Sequence, residues 1–256
     1  MGITRRNFLS ATAVTVGGLS LEGLARADAL IEAPLRIASE DYPPYAFNLR
    51  GSRHGFDVEK VTMVLDALRH RFIQTPMMRT ALFQGLDEAT VDLGFPFTET
   101  PVRLQKYIVA APLHTNRTAF AMRTSDVKGP IGLDSIAGLR VGVTDRHRYP
   151  AAFDAMQNIT RVSCSSLNLA IRRLDYERVD AVIGDLSAMK SIVSVEGLEH
   201  KITVSTNAIG SANAFVLFPQ SRHELAAAFT ETLARLQAEG KFKDLEARFP
   251  TVEPPR

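Results

Sequence analysis

From residue 35 onward, short apolar runs alternate with stretches whose apolar residues recur every three or four positions. LRIAS (35–39) reads as a strand. In DVEKVTMVLDALRHRF (57–72), Val58, Val61, Val64, Leu65 and Leu68 share one face at helical spacing, which predicts a helix with one buried side. A helix is expected over 80–89, a strand over 91–95 and a long strand over 117–123. After Gly129-Pro130 the pattern restarts with strand 140–144, a helix from Pro150, strand 161–166 and helix 167–177. Strand 179–185, helix 186–195 and strand 201–205 follow. The chain closes with strand 214–218 and a helix over 221–239, for which Ser221-Arg222-His223-Glu224 offers a capping box and Gly240 a stop.

Strands alternating with helices predict an α/β protein with mainly parallel sheets, and the restart near 123–130 predicts two lobes. Such sheets bind ligands outside the carboxyl ends of their strands. FPFTETPVR (95–103) and VIGDLSA (182–188) lie at two such ends. An arginine in a polar loop is ordinarily solvated. Hydroxyls and a guanidinium converging at a strand end can instead hold an anion, so Arg103 carries both readings at this stage.

The beginning of the chain changes the charge picture. Arg5 and Arg6 precede an apolar run from Phe8 to about Leu21, followed by Ala25-Arg26-Ala27. That order predicts an export signal over 1–27, and TRRNFL gives it the twin-arginine form used by the Tat export machinery. The run is too short for a bilayer span of about 20 apolar residues. Of 30 basic and 28 acidic residues, the signal holds three arginines and Glu22, so the mature chain has 27 of each. Formal neutrality gives no argument for nucleic-acid binding. The only cysteine, Cys164, sits in the strand-like RVSCSS, where a buried inert thiol is expected. Six histidines show no paired metal-ligand spacing, and there is no phosphate loop or nucleophile elbow, so neither a metal nor a cofactor is expected.

Six stretches, in order, carry a resemblance: LRIASEDYPPYAF (35–47), GFDVEKVTMVL (55–65), ALFQGLDEATVDLGFPFTETPVR (81–103), IAGLRVGVT (136–144), YERVDAVIGD (176–185) and the closing ELAAAFTETLARLQAEGKFKDLEARF (224–249). Together they resemble family 3 of the periplasmic solute-binding proteins, the polar amino acid receptors of ABC importers. The resemblance implies a periplasmic-binding-protein type II fold: two α/β lobes joined by two hinge strands, closing on the ligand by hinge bending. Lobe 1 would comprise 34–122 plus 213–256 and lobe 2 123–212, with hinges at 119–123 and 212–215.

By the same resemblance Arg103 would hold the ligand's carboxylate by a forked pair of hydrogen bonds. Thr98 would add its hydroxyl, and Asp185 would take an α-ammonium. The plain alternative for Asp185 is an N-cap of the helix that begins at 186. Tyr42 is expected to form the apolar wall, with Tyr45 and Phe47 as further candidates. Glu40, or Asp41 beside it, could meet a cationic side chain. Thr144, with Asp145, ends a strand where the family places amides at a helix N-terminus. Two departures stand out: Met78-Arg79 replaces the family's second aromatic clamp, and Arg146, His147 and Arg148 follow strand 140–144. An extra cation there would favour an acidic ligand or stay solvated.

The resemblance implies a periplasmic monomer that captures a small molecule, an amino acid or related carboxylate, and passes it to an ABC permease in the inner membrane. Two alternatives are an enzyme like the cyclohexadienyl dehydratases, with Glu40 or Glu99 as general acid, and a periplasmic binding subunit that accompanies a system other than a transporter.

Overall fold

The computed structural model describes residues 33–145, 147–249 and 251–252. The expected export signal and Arg146 lie outside the described residues. One long sheet organises the fold. Strands β1 (Leu35–Ser39), β4 (Phe72–Pro76) and β5 (Leu93–Thr98) pair in parallel, with β1 in the middle. Strands β7 (Arg140–Thr144), β8 (Thr160–Cys164) and β9 (Ala181–Asp185) form a second parallel block around β7. Two long antiparallel strands join the blocks: β6 (Ile108–Arg123) pairs with β9, and β11 (Gly210–Phe218) pairs with both β6 and β5. The order is β4-β1-β5-β11-β6-β9-β7-β8, with β10 (Ile202–Val204) also on β6. The expected α/β architecture with mainly parallel blocks is present.

The helices occupy the predicted places with instructive differences. Helix α1 (Phe56–Ala67) buries Val58, Val61, Val64 and Leu65 as expected. It stops five residues before the predicted end. Arg69 turns into the left-handed region (φ 61°), the His70 amide closes back on Leu65, and Phe72 pairs with Leu35 instead of continuing the helix. At its start, Gly55 has φ 122°, and a Cβ there would lie 2.4 Å from the Tyr45 carbonyl oxygen. Only glycine lets the Tyr42–Ala46 loop sit on the helix N-terminus, where the Tyr45 carbonyl accepts from the Asp57 amide at 3.0 Å.

Helix α2 (Arg79–Asp87) precedes β5, which runs to Thr98 rather than ending at Phe95. Pro96 is accommodated because the β5–β11 register is irregular opposite it. Strand β6 begins nine residues before the expected 117. Pro112 and the polar His114-Thr115-Asn116 hid its first half, and Pro112 sits where the pairing with β11 shifts. A hairpin of β2 (Phe47–Leu49) and β3 (Ser52–His54) and the short helix α3 (Pro101–Lys106) were not anticipated.

Beyond β7 come α4 (Ala151–Asp154), α5 (Leu167–Asp175), α6 (Leu186–Val195), α7 (His223–Ala238) and α8 (Lys243–Arg248). The capping box at 221–224 does not form. Residues Gln220–Arg222 make a 3-10 turn, and the Arg222 side chain bonds the buried Asp92 carboxylate at 2.6 and 3.0 Å. Gly240 does end the helix, at φ 68°. Cys164 is buried at the end of β8, and burial pushes its thiol pKa up, as an inert thiol requires. Among the described residues no helix is long and apolar enough to cross a membrane.

Candidate functional site

The carboxyl end of β5 hands over to α3 through Thr100, whose hydroxyl accepts from the Arg103 amide at 3.2 Å, with Pro101 in the first helical turn. This points Arg103 back at its own strand. Its Nη1 donates to the Thr98 carbonyl at 2.5 Å and the Thr98 hydroxyl at 3.1 Å. The guanidinium carbon lies 5.3 Å from the Phe83 ring centre and 5.5 Å from that of Phe97. Among the described residues no carboxylate pairs with it. Burial, then the nearby charges of Arg79 and Arg148, push its pKa down to about 10. Arg103 is therefore a desolvated cation crowded by two others.

The carboxyl end of β9 is arranged differently. Asp185 is itself the N-cap of α6: its Oδ1 accepts from the Ala188 amide at 2.9 Å and from the Tyr45 hydroxyl at 2.8 Å. Its Oδ2 accepts from the Arg117 amide at 2.9 Å. Only 5% exposed, the carboxyl has its pKa raised by burial, with those bonds opposing the rise. Tyr45 is fully buried between Tyr42 (ring centres 5.5 Å apart, stacked) and His114 (3.9 Å, stacked). His114 Nδ1 lies 2.8 Å from the buried Asp57 carboxylate and Nε2 3.0 Å from Asn116 Oδ1.

Three spaces open onto these groups. A small cavity of about 20 Å³ is lined by Tyr42, Thr98, Arg103, Asn116 and the cations Arg79 and Arg148, together with His147. An adjoining cavity of about 240 Å³ shares Thr98, Asn116, His147 and Arg148 and extends to Asp185 and Glu99. An open groove of about 670 Å³ holds Glu40, Asp41, Thr144 and Asp145 and meets the small cavity at Arg79. The structure thus brings Arg103, Thr98 and Tyr42 to one cavity, and Thr98 and Asp185 to its neighbour. Glu40 and Thr144 stand outside, in the groove.

The Glu40 carboxylate is paired with Arg79, and that of Asp41 with Arg53. The Thr144 amide donates to the Tyr149 hydroxyl at 2.8 Å, and the next helix starts only at Ala151, so Thr144 is not at a helix N-terminus. Phe47 is half-buried on β2 and lines none of the three spaces. Asn116 and His114 were not anticipated; a run of three polar residues inside an otherwise apolar strand was the available signal.

Two parallel blocks linked by two antiparallel strands, with a cation-lined cavity at their carboxyl ends, define a solute-binding protein of the type II periplasmic fold. The chain belongs to the bacterial extracellular solute-binding proteins, family 3, whose model matches residues 35–251. A search of curated proteins returned no sequence match. Among solved structures, a histidine kinase sensor domain with similarity to periplasmic binding proteins is 20% identical at a TM-score of 0.78, over 88% of this chain and 99% of that one. A mutant of ArgBP from T. maritima is 19% identical at 0.75, over 85% and 95%. The arginine-, lysine-, histidine-binding protein ArtJ from Geobacillus stearothermophilus is 22% identical at 0.73, over 87% and 97%. These likenesses establish the fold. The family and two of these neighbours, ArgBP and ArtJ, are binding proteins.

Proposed function

We propose that this chain is a periplasmic receptor that captures an amino acid or related small carboxylate between two lobes, without turnover, and hands it to an ABC permease. In this reading the signal over 1–27 directs export through the Tat route and is then removed. Lobe 1 comprises 34–122 plus 213–256, lobe 2 comprises 123–212, and β6 and β11 bend where they pass between them. Arg103 receives the carboxylate, Thr98 orients both the guanidinium and the ligand, and the Tyr42 ring covers the ligand's body.

The observation that carries this is Arg103: a buried guanidinium at a strand's carboxyl end, lining a cavity, held through Nη1 and, among the described residues, paired with no carboxylate. A buried cation without a counter-ion is costly unless a ligand supplies one. The test begins with mass spectrometry of ligand released from protein purified without unfolding, followed by calorimetry. Arg103→Ala should weaken binding of that ligand by about 2–5 kcal/mol, roughly 30- to several-thousand-fold. Binding within about threefold of the unaltered protein would make Arg103 a structural residue and remove the reading's foundation.

A further inference from the structure

The cavity that receives Arg103 holds more positive charge than one carboxylate needs. Arg79, Arg103 and Arg148 all line it, and among the described residues only Arg79 has a carboxylate partner, Glu40, on the groove side. Among the described residues Arg148 pairs with no acid. His147 lines both cavities, and its Nδ1 is buried without a hydrogen-bond partner. Asp185, the one buried acid lining either cavity among the described residues, already accepts three hydrogen bonds through its two oxygens and offers little to an ammonium.

We propose that the ligand is a small dicarboxylate: one carboxylate on Arg103 and Thr98, the second on Arg148 and His147, with an amino group dispensable. This rests on the reading that Arg103 holds the ligand. Like charges around one cavity repel, most strongly at the buried Arg103, and a dianion offsets that repulsion by pairing with Arg103 and Arg148 at once. Burial, and then Arg79 and Arg103, push the His147 pKa down to about 3, so the ring is neutral and can offer an N–H to a carboxylate without taking up a proton. The larger cavity, about 240 Å³, lies below the range of about 300–1,000 Å³ typical of drug-sized ligands, which limits the dicarboxylate to a few carbons.

Calorimetry on the exported chain with L-aspartate, L-glutamate, succinate, glutarate, L-asparagine, L-glutamine and L-arginine tests this, using the unaltered protein, Arg148→Ala and Arg103→Ala. At least one diacid should bind, with its amide and L-arginine weaker by at least about 10-fold, the loss of the exposed Arg148 pairing and of the buried His147 contact together. Arg148→Ala should shrink the acid-over-amide preference to a few-fold; Arg148 is exposed, so the variant should fold, and its melting curve checks that. Succinate or glutarate binding as well as its amino counterpart would identify plain diacids as the ligand; a strong preference for the amino acid would identify acidic amino acids. Either supports a dicarboxylate site, the second without the dispensable amine. An amide or L-arginine bound as tightly as the diacids, still dependent on Arg103, would overturn the second seat and leave the receptor reading intact. No binding by any of the seven would overturn the dicarboxylate site, and the receptor reading would then be decided by the ligand released from the purified protein.

Discussion

Strands β5 and β9 both end at the larger cavity, and each has a helix and a charged residue there, yet the two ends use their charge in opposite ways. On β5 a neutral residue, Thr100, caps the next helix, so Arg103 is left with one nitrogen committed to Thr98 and the rest of its fork available. On β9 the charged residue is the cap, and Asp185 accepts from a helix amide, a strand amide and a tyrosine hydroxyl. Topological equivalence does not make two charges functionally equivalent. What distinguishes them is how many internal partners each already has. By that measure the reading proposed above gives Arg103 to the ligand and Asp185 to the fold.

The contrast is broken most directly by truncating each side. Arg103→Ala should cost affinity while changing unliganded stability by no more than about 1 kcal/mol, because lost packing is offset by relief of repulsion from Arg79 and Arg148. Asp185→Ala should do the reverse. It removes a cap worth about 1 kcal/mol, strands the buried Tyr45 hydroxyl at about 1–3 kcal/mol, and takes the part-buried Arg117 amide's bond to Oδ2 at about 1 kcal/mol. A loss of about 3 kcal/mol or more in urea denaturation without ligand is expected. If Asp185→Ala instead leaves the urea midpoint in place and abolishes binding, the two strand ends are alike after all.

A smaller substitution sharpens the Asp185 side. Tyr45→Phe keeps the ring stacked between Tyr42 and His114 but deletes the hydroxyl that donates to Asp185 Oδ1 at 2.8 Å. The Ala188 amide still serves that oxygen. Unliganded stability should fall by about 1 kcal/mol, the net worth of one hydrogen bond with its acceptor still served. No change would mean that Tyr45 acts only by packing.

Much of this was legible in the chain. Strands β1 and β7 and helix α6 have the predicted bounds, since each is an apolar run bracketed by clear breakers. The β2–β3 hairpin was not, because FNL and SRH are too short and polar to show alternation, although Arg50-Gly51 at φ 52° and 85° makes its turn. Arg103 and Thr98 could be found because strand, loop and arginine are contiguous. Arg79, His147 and Arg148 drew notice only as departures from a pattern. Their convergence with Arg103 depends on how β5 and β7 are set around β6 and β9, which local sequence does not express. The Asp57–His114–Asn116 chain spans 57 residues between its first two members and was out of reach of any motif.

The smallest expected effect concerns pH, and it tests whether Asp185 is chiefly a buried group or a formed charge. Burial is the largest influence on its pKa and raises it above the ordinary 3.8, against the lowering by the Ala188 amide and the Tyr45 hydroxyl. An acid whose folded pKa exceeds its unfolded one contributes stability that is complete below the unfolded value and is lost as pH rises through the folded value. Asp185→Asn cannot titrate. It carries a fixed cost instead, because an amide has one acceptor where the carboxylate has two, so one of the three donors is left facing an NH2 group. The melting-temperature advantage of the unaltered protein over Asp185→Asn should therefore shrink as pH rises from about 3.8 toward neutrality, measured without ligand. An advantage that grows over that range would mean the three hydrogen bonds outweigh burial and depress the pKa. Asp185 would then be a fully formed carboxylate at neutral pH, available to attract an ammonium through Oδ2, and the asymmetry between the two strand ends would be one of degree.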